Sequence, residues 1–384
     1  MSEEEMPGDS CERVPEPPGH DDERATKVEP GARLAPRRSK TPNPAMATGM
    51  ILVLGLVAAS TAIVVNLAQA SAGARMHECP GQIIAFLPAD DPAARDAITQ
   101  HAGRVTAFAA IVARVTGANV EVRPTDSSRN GPGPVRDARA HAIAVVTNGT
   151  GQGPDTVAAR TVVSSPSARS RVLNELAERL REWDSVVLDF EKLSPDERQD
   201  YVHFVRDLKA AVAKPMTVAV PAFTGSPDDQ AYDIAALAQA ADQIIWMAYD
   251  QHYARSEPGP VAGYPWVLKS VDVALTRIPS SKLVLGLPTY GYHWDTAGSG
   301  RDITFREGQQ LANAPSAIAR FDPVQEEQHV ALPDGGQAWY STARSARVRA
   351  QIAVDKGLCG VALWRAGLED PATLSSLPFP APPH

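Results

Sequence analysis

Cysteine is scarce, with three in 384 residues. That excludes a disulfide-framed miniprotein, and the spacing of Cys11, Cys79 and Cys359 matches no zinc site. Basic charge is outnumbered, 37 Lys and Arg against 45 Asp and Glu, for a formal net charge of -8. A broad nucleic-acid-binding face needs a basic patch to displace counterions, so nucleic acid is set aside as a partner. Glycine loops for nucleotides are missing as well. Neither G-x-G-x-x-G nor G-x-x-x-x-G-K-[ST] follows a strand-like run. A serine triad has no nucleophile elbow to stand on. No acid and histidine cluster has metal spacing, no repeat of fixed period occurs, and no cofactor is expected.

Large apolar residues are almost absent from the first 44 positions. Eight prolines, ten acids and seven bases fill them instead. Such a segment cannot bury enough surface to offset its chain entropy, so residues 1–44 are expected to be a disordered tail. Charge then stops altogether between Thr41 and Ala74, and Ala45 to Val65 is nearly all apolar. Twenty-one residues rise about 31 Å as a helix, enough to cross a bilayer core. Residues 45–70 are therefore expected to be a transmembrane signal-anchor. The bases Arg33, Arg37, Arg38 and Lys40 precede it, which places the tail in the cytoplasm and the remainder outside the cell membrane. Ala68-Gln69-Ala70 resembles a cleavage site, so the alternative is a secreted protein cut after Ala70.

From residue 76 to 384 the pattern changes. Strand-like runs at 82–87, 105–112, 141–147, 185–190, 216–220, 243–249, 282–287 and 360–364 alternate with helical stretches. The helix near Pro195 opens with Ser194 as an expected N-cap. Alternating strands and helices argue a parallel sheet with right-handed crossovers, and eight strands in about 300 residues argue a (β/α)8 TIM barrel. A doubly wound open sheet is the alternative. The stretch 296–345 is too long for a loop and holds its own strand-like pieces. It reads as an α+β insertion between strands 7 and 8, walling a cleft.

Trp183-Asp184-Ser185-Val186-Val187-Leu188-Asp189-Phe190-Glu191 carries the chemistry. Alternate residues of a strand share a face. Val186, Leu188 and Phe190 then point outward to the helices. Ser185, Val187, Asp189 and Glu191 point inward, with two acids at the C-terminal end where barrel active sites lie. Close carboxylates raise one another's pKa, as a general acid requires. Met247-Ala248-Tyr249-Asp250, Leu285 to Tyr292, and Ala362-Leu363-Trp364 each put aromatic or acidic groups at another strand end. His252 is expected to be an ordinary rim residue, and Glu369-Asp370 a structural pair.

This ordered set resembles glycoside hydrolase family 18, and within it the branch of spore-germination and cortex-lytic N-acetylglucosaminidases. The resemblance covers about residues 81–371. It implies that Glu191 protonates the glycosidic oxygen, Asp189 orients the substrate's acetamido group, and Tyr249 holds its carbonyl oxygen. It further implies that Asp250, Trp364, Tyr290 and Asn148 bind substrate, an N-acetylglucosamine-containing polysaccharide of the chitin or peptidoglycan type. Val187 departs from the pattern, since many chitinases carry a third Asp there. The competing expectation is a non-catalytic glycan-binding barrel anchored in the membrane, and a third is a membrane sensor. Cys79 and Cys359 flank the first and last strands. The barrel would bring them near bridging distance, the alternative being two free thiols.

Overall fold

The computed structural model describes residues 81–87, 93–225 and 230–380. The expected tail 1–44, the expected span 45–70 and Cys79 lie outside the described residues. Among the described residues no helix is long and apolar enough to cross a membrane.

Eight strands pair in parallel around a closed ring. They are Gln82–Leu87, Ala107–Thr116, His141–Thr147, Ser185–Asp189, Met216–Pro221, Gln243–Met247, Leu283–Pro288 and Gly360–Trp364. The first pairs with the second (Ile84 beside Ala107) and also with the eighth (Gln82 beside Gly360). Those two ladders close the barrel and exclude the open sheet. The strands carry few polar residues because both of their faces are covered. Ile84, Ala109, Val145, Val187, Ile245 and Val284 fill the barrel interior. Val186, Leu188 and Phe190 belong to the separate layer between strands and helices. Fully buried, Val187 thus takes the inward place expected of it.

The second strand runs on to Thr116 and turns back through Glu121–Pro124, an antiparallel addition outside the ring. The helix near Pro195 has Ser194 as its N-cap and Pro195 in the first turn, as expected, but that turn is not yet α-helical. Pro195–Glu197 is a 3-10 turn leading into the helix Arg198–Val212. Glu197 accepts from the Ser194 N–H at 2.6 Å, closing a capping box with Ser194.

The insertion between strands 7 and 8 is a five-stranded antiparallel sheet with one helix, Phe305–Ala312. It begins at Gly291, earlier than expected. Leu285 to Tyr292 reads as one apolar and aromatic run, so hydropathy does not divide it. Pro288 ends the barrel strand, and Gly291–Trp294 becomes the first strand of the new sheet. Ile318–Asp322 is a strand that the sequence reading missed, because its first three residues are exposed and lack a buried face. The helix Phe305–Ala312 packs on one side of the sheet over Ile303, Val330, Ala338 and Tyr340.

At the opposite end of the last strand, Cys359 is fully buried and disulfide-bonded.

Candidate active site

The C-terminal ends of strands 3, 4, 6, 7 and 8 converge on one group of side chains. Asp189 ends strand 4 and is buried. Burial first, then the charge of Glu191, push its carboxyl up to about 8, opposed by a hydrogen bond from Thr147. Thr147 is the register neighbour of Asp189 on strand 3. Its oxygen also accepts from Gly149 N–H at 2.8 Å, which orients the hydroxyl. Asp189 Oδ1 is enclosed without a hydrogen-bond partner among the described residues. Thr147 was missed in the sequence. Its one signal was its place at a strand's C-terminal end.

Glu191 lies two residues further out and keeps partial exposure. Burial raises its carboxyl, the charge of Asp250 raises it further, and Lys192 pulls it down. Its backbone is held on both sides by one residue. Asn148 Oδ1 accepts from Glu191 N–H at 2.8 Å, and Asn148 Nδ2 donates to the Glu191 carbonyl at 3.0 Å. Asn148 is 0% exposed. It was expected among the sugar-binding residues, but its amide is spent on positioning Glu191.

Tyr249 and Trp364 both pack on the barrel's interior cluster and form its upper surface. The Tyr249 hydroxyl forms no hydrogen bond within the described residues. Burial, followed by the charges of Asp189, Glu191 and Asp250, drives its ionisation far above the ordinary phenol range. It is therefore a neutral donor. Trp364 stands edge-on to Phe86 with ring centres 5.4 Å apart. Gly286 on strand 7 makes room beside Tyr249. A Cβ there would lie 2.8 Å from the Trp246 carbonyl oxygen and 3.0 Å from the Tyr249 ring.

Asp250 follows Tyr249 in a left-handed conformation, φ +57°. Its side chain reaches solvent, yet the surrounding protein raises its carboxyl by desolvation. Two phenols oppose that rise. Tyr290 donates to Asp250 Oδ1, and Tyr292 donates to the same oxygen at 2.9 Å. Tyr290 was expected to bind sugar. It is buried with its hydroxyl on Asp250, and partly exposed Tyr292 is the phenol at the surface.

The remaining acids of these segments are structural. Asp184 lies at the far end of strand 4, bound by Arg136 at 2.7 Å and by the Ala142 N–H at 2.9 Å. Glu369 pairs with His101 at 2.7 Å, both side chains nearly enclosed. Asp370 accepts from Ala343 N–H at 3.0 Å. His252 sits on the rim, its Nδ1 3.0 Å from the Glu257 carbonyl oxygen.

Three carboxyls with raised pKa, a neutral phenol and an indole floor at the mouth of a parallel barrel define a glycosidase site. The family model for glycosyl hydrolases family 18 matches residues 149–369, and the chain belongs to that family. The chain is 28% identical over 252 residues to the putative sporulation-specific glycosylase YdhD of Bacillus subtilis (strain 168). That match covers 60% of this chain and 58% of the relative. The cortical fragment-lytic enzyme of the same organism is 25% identical over 245 residues, covering 59% and 57%. The chain thus spans under two thirds of the length of these curated relatives. Among solved structures, a chitinase from Chromobacterium violaceum ATCC 12472 superposes with a TM-score of 0.69 at 27% identity. It covers 77% of this chain and 98% of that one. The Bacillus cereus spore cortex-lytic enzyme SleL shares the fold, with a TM-score of 0.69 at 16% identity over 78% of this chain and 75% of that one.

Proposed function

We propose that this glycosidase cleaves β-linked N-acetylglucosamine-containing glycans by a substrate-assisted, retaining mechanism. The observation that carries the reading is the enclosed, unpartnered Asp189 Oδ1, set near a free Tyr249 hydroxyl and a Glu191 of raised pKa.

Glu191 holds a proton and delivers it to the glycosidic oxygen as the bond to the anomeric carbon breaks. The acetamido carbonyl oxygen attacks that carbon and closes an oxazolinium ring. This is the exception to the two-carboxylate scheme, since no enzymic nucleophile is needed. In its ionised form Asp189 accepts the acetamido N–H through Oδ1 and balances the ring's positive charge, which in turn favours that ionisation. Tyr249 donates to the acetamido oxygen and holds it on line. Trp364 stacks beneath the sugar. A water then attacks the anomeric carbon, gives its proton to Glu191 and restores the starting state with retained configuration. Asp250, fixed by Tyr290 and Tyr292, presents its second oxygen to sugar hydroxyls and keeps the Glu191 proton in place.

Chitin-type and peptidoglycan-type chains both carry the required acetamido group. The relatives' names support both, a chitinase on one side and cortex-lytic enzymes on the other. We place the barrel outside the cell membrane, tethered through residues 45–70. The second reading, a non-catalytic glycan-binding barrel, is disfavoured by the presence of the acid at Glu191.

Product analysis on chito-oligosaccharides and peptidoglycan, with wild type and Glu191→Gln side by side, tests the proposal. The amide keeps the shape and removes the proton, so kcat is expected to fall by about 100-fold or more. An unimpaired Glu191→Gln enzyme ends the mechanism. Fully deacetylated glucosamine oligomers, which lack the internal nucleophile, are expected to show negligible turnover. Equal rates on both kinds of chain point to an enzymic nucleophile instead.

A further inference from the structure

One buried ion pair takes no part in the chemistry above. Arg349, on the helix Ala343–Asp355, and Glu327, on the insertion strand Glu327–Ala331, are both 0% exposed, with Nη2 and Oε1 3.0 Å apart. A buried pair is weak evidence of stability, because apolar residues of similar volume often serve as well. Its other contacts supply a reason for it. Arg349 Nε donates to the Ala262 carbonyl at 2.6 Å, and Nη1 donates to Ser341 Oγ at 3.0 Å. Ala262 N–H in turn donates to Glu327 Oε2 at 3.3 Å.

The pair therefore grips both polar groups of Ala262. That residue closes the loop which Asp250 opens. Gln251 N–H donates to the Val261 carbonyl, and Gly263 N–H donates to Gln251 Oε1, both at 2.9 Å. Ala262 thus lies between the two anchors of the residue next to Asp250. Ser341 leads the other way. Its N–H donates to the Tyr290 carbonyl at 3.1 Å, and the Tyr290 hydroxyl donates to Asp250. The guanidinium fork consequently reaches both ends of the Asp250–Tyr290 hydrogen bond. Asp250 has a positive φ, a conformation that a non-glycine residue keeps only when its surroundings hold it.

We propose that Arg349 is a positioning residue for Asp250, keeping the Asp250 loop and Tyr290 in the register that sets the Asp250 carboxylate against Glu191. Glu327 serves as its enclosed counter-charge. The inference rests on the reading of Glu191 as the acid. The groups that face Glu191 are Asp189 and Lys192 from its own segment, Asp250 from the sixth-strand loop, and the phenols of Tyr232 and Tyr249. If Asp250 drifts away, Glu191 loses the charge that raises it and ionises at lower pH.

The test uses the full chain with Arg349→Lys and Ser341→Ala. Lysine keeps a cation opposite Glu327 but cannot span Ala262 and Ser341 together. Ser341→Ala cuts only the branch toward Tyr290. Carboxyl 13C NMR follows the titration of Glu191, alongside the melting temperature and the pH dependence of kcat and KM on a chito-oligosaccharide. In Arg349→Lys, Glu191 is expected to titrate at lower pH, with the alkaline limb of kcat/KM moving the same way. Misplacement of a site group is expected to lower kcat about tenfold or more, with a smaller change in KM. Ser341→Ala is expected to shift in the same direction by less. A lowered melting temperature with Glu191 titrating at the wild-type pH in both variants overturns the proposal. Should Arg349→Lys fail to fold, Ser341→Ala decides alone by the same criterion. A wild type inactive on every glycan overturns the proposed function, and the NMR titration still decides this inference.

Discussion

Asp189 is where folding and chemistry oppose each other. Its carboxyl is enclosed with one oxygen unpartnered and is pushed up to about 8 from an ordinary value near 3.8. In the unfolded chain it ionises at the lower value. The stability linked to it is therefore complete below about pH 4 and drains away as pH rises toward about 8. Asp189→Asn removes that drain. We expect the variant to be inactive yet to melt a few degrees above wild type at pH 8, the advantage shrinking toward pH 4. Thermal melts across that range check the sign, and a variant that melts lower at pH 8 rejects it. The inward places of Asp189 and Glu191 were legible from strand alternation alone. Asn148 and Tyr290 were legible as residues of the site but not in their roles, because a sequence does not say whether an amide or phenol meets ligand or its own backbone. Arg349 was not legible at all. On a helix that also carries Arg344 and Arg347 it reads as one more solvated cation, and its burial depends on Glu327 and Ala262, both distant in sequence.

Among the elements, strand 7 shows how a missing side chain builds a site. Gly286 lies against the Trp246 carbonyl and the Tyr249 ring, with no room for a methyl group. Gly286→Ala is expected to cost about 1–3 kcal/mol through overpacking. It is also expected to lower kcat by displacing the Tyr249 ring. Melting curves and kcat read the two effects, and a fully active variant shows that Tyr249 has more freedom than its packing indicates. The barrel strands were legible because β-branched and apolar runs bounded by turns recur between helical stretches, and the first, third and last runs carry the observed limits. The insertion was legible only in outline. Its strands are short and mostly half-exposed, so tertiary pairing rather than hydropathy decides where Gly291–Trp294 and Ile318–Asp322 begin.

For the whole molecule, the proposed topology sets the barrel outside the cell membrane. The charge-free run 41–74 and the bases before it support an anchored, outward-facing barrel. A reporter fused after His384 is expected to be active outside the cytoplasmic membrane, and one fused after Lys40 inside. The mass of the mature chain then separates anchor from cleaved signal, since loss of residues 1–70 rejects the anchor.

The closure of the barrel has a further consequence, for the order in which the chain acquires its structure. The first strand is clasped between the second and the eighth, and its backbone at Gln82 presses so closely on Gly360 that a Cβ there would fall 2.0 Å from the Gln82 carbonyl oxygen. The partner on one side is therefore the last of the eight barrel strands to be made. Until it arrives, the strands already made form an open sheet with two unsatisfied borders, the kind of template on which a second nascent copy can pair. Contacts of such long sequence separation also slow folding. Synthesis that halts before Gly360 would leave a sticky half-cylinder rather than a smaller enzyme, so chaperone demand should peak just before the eighth strand emerges.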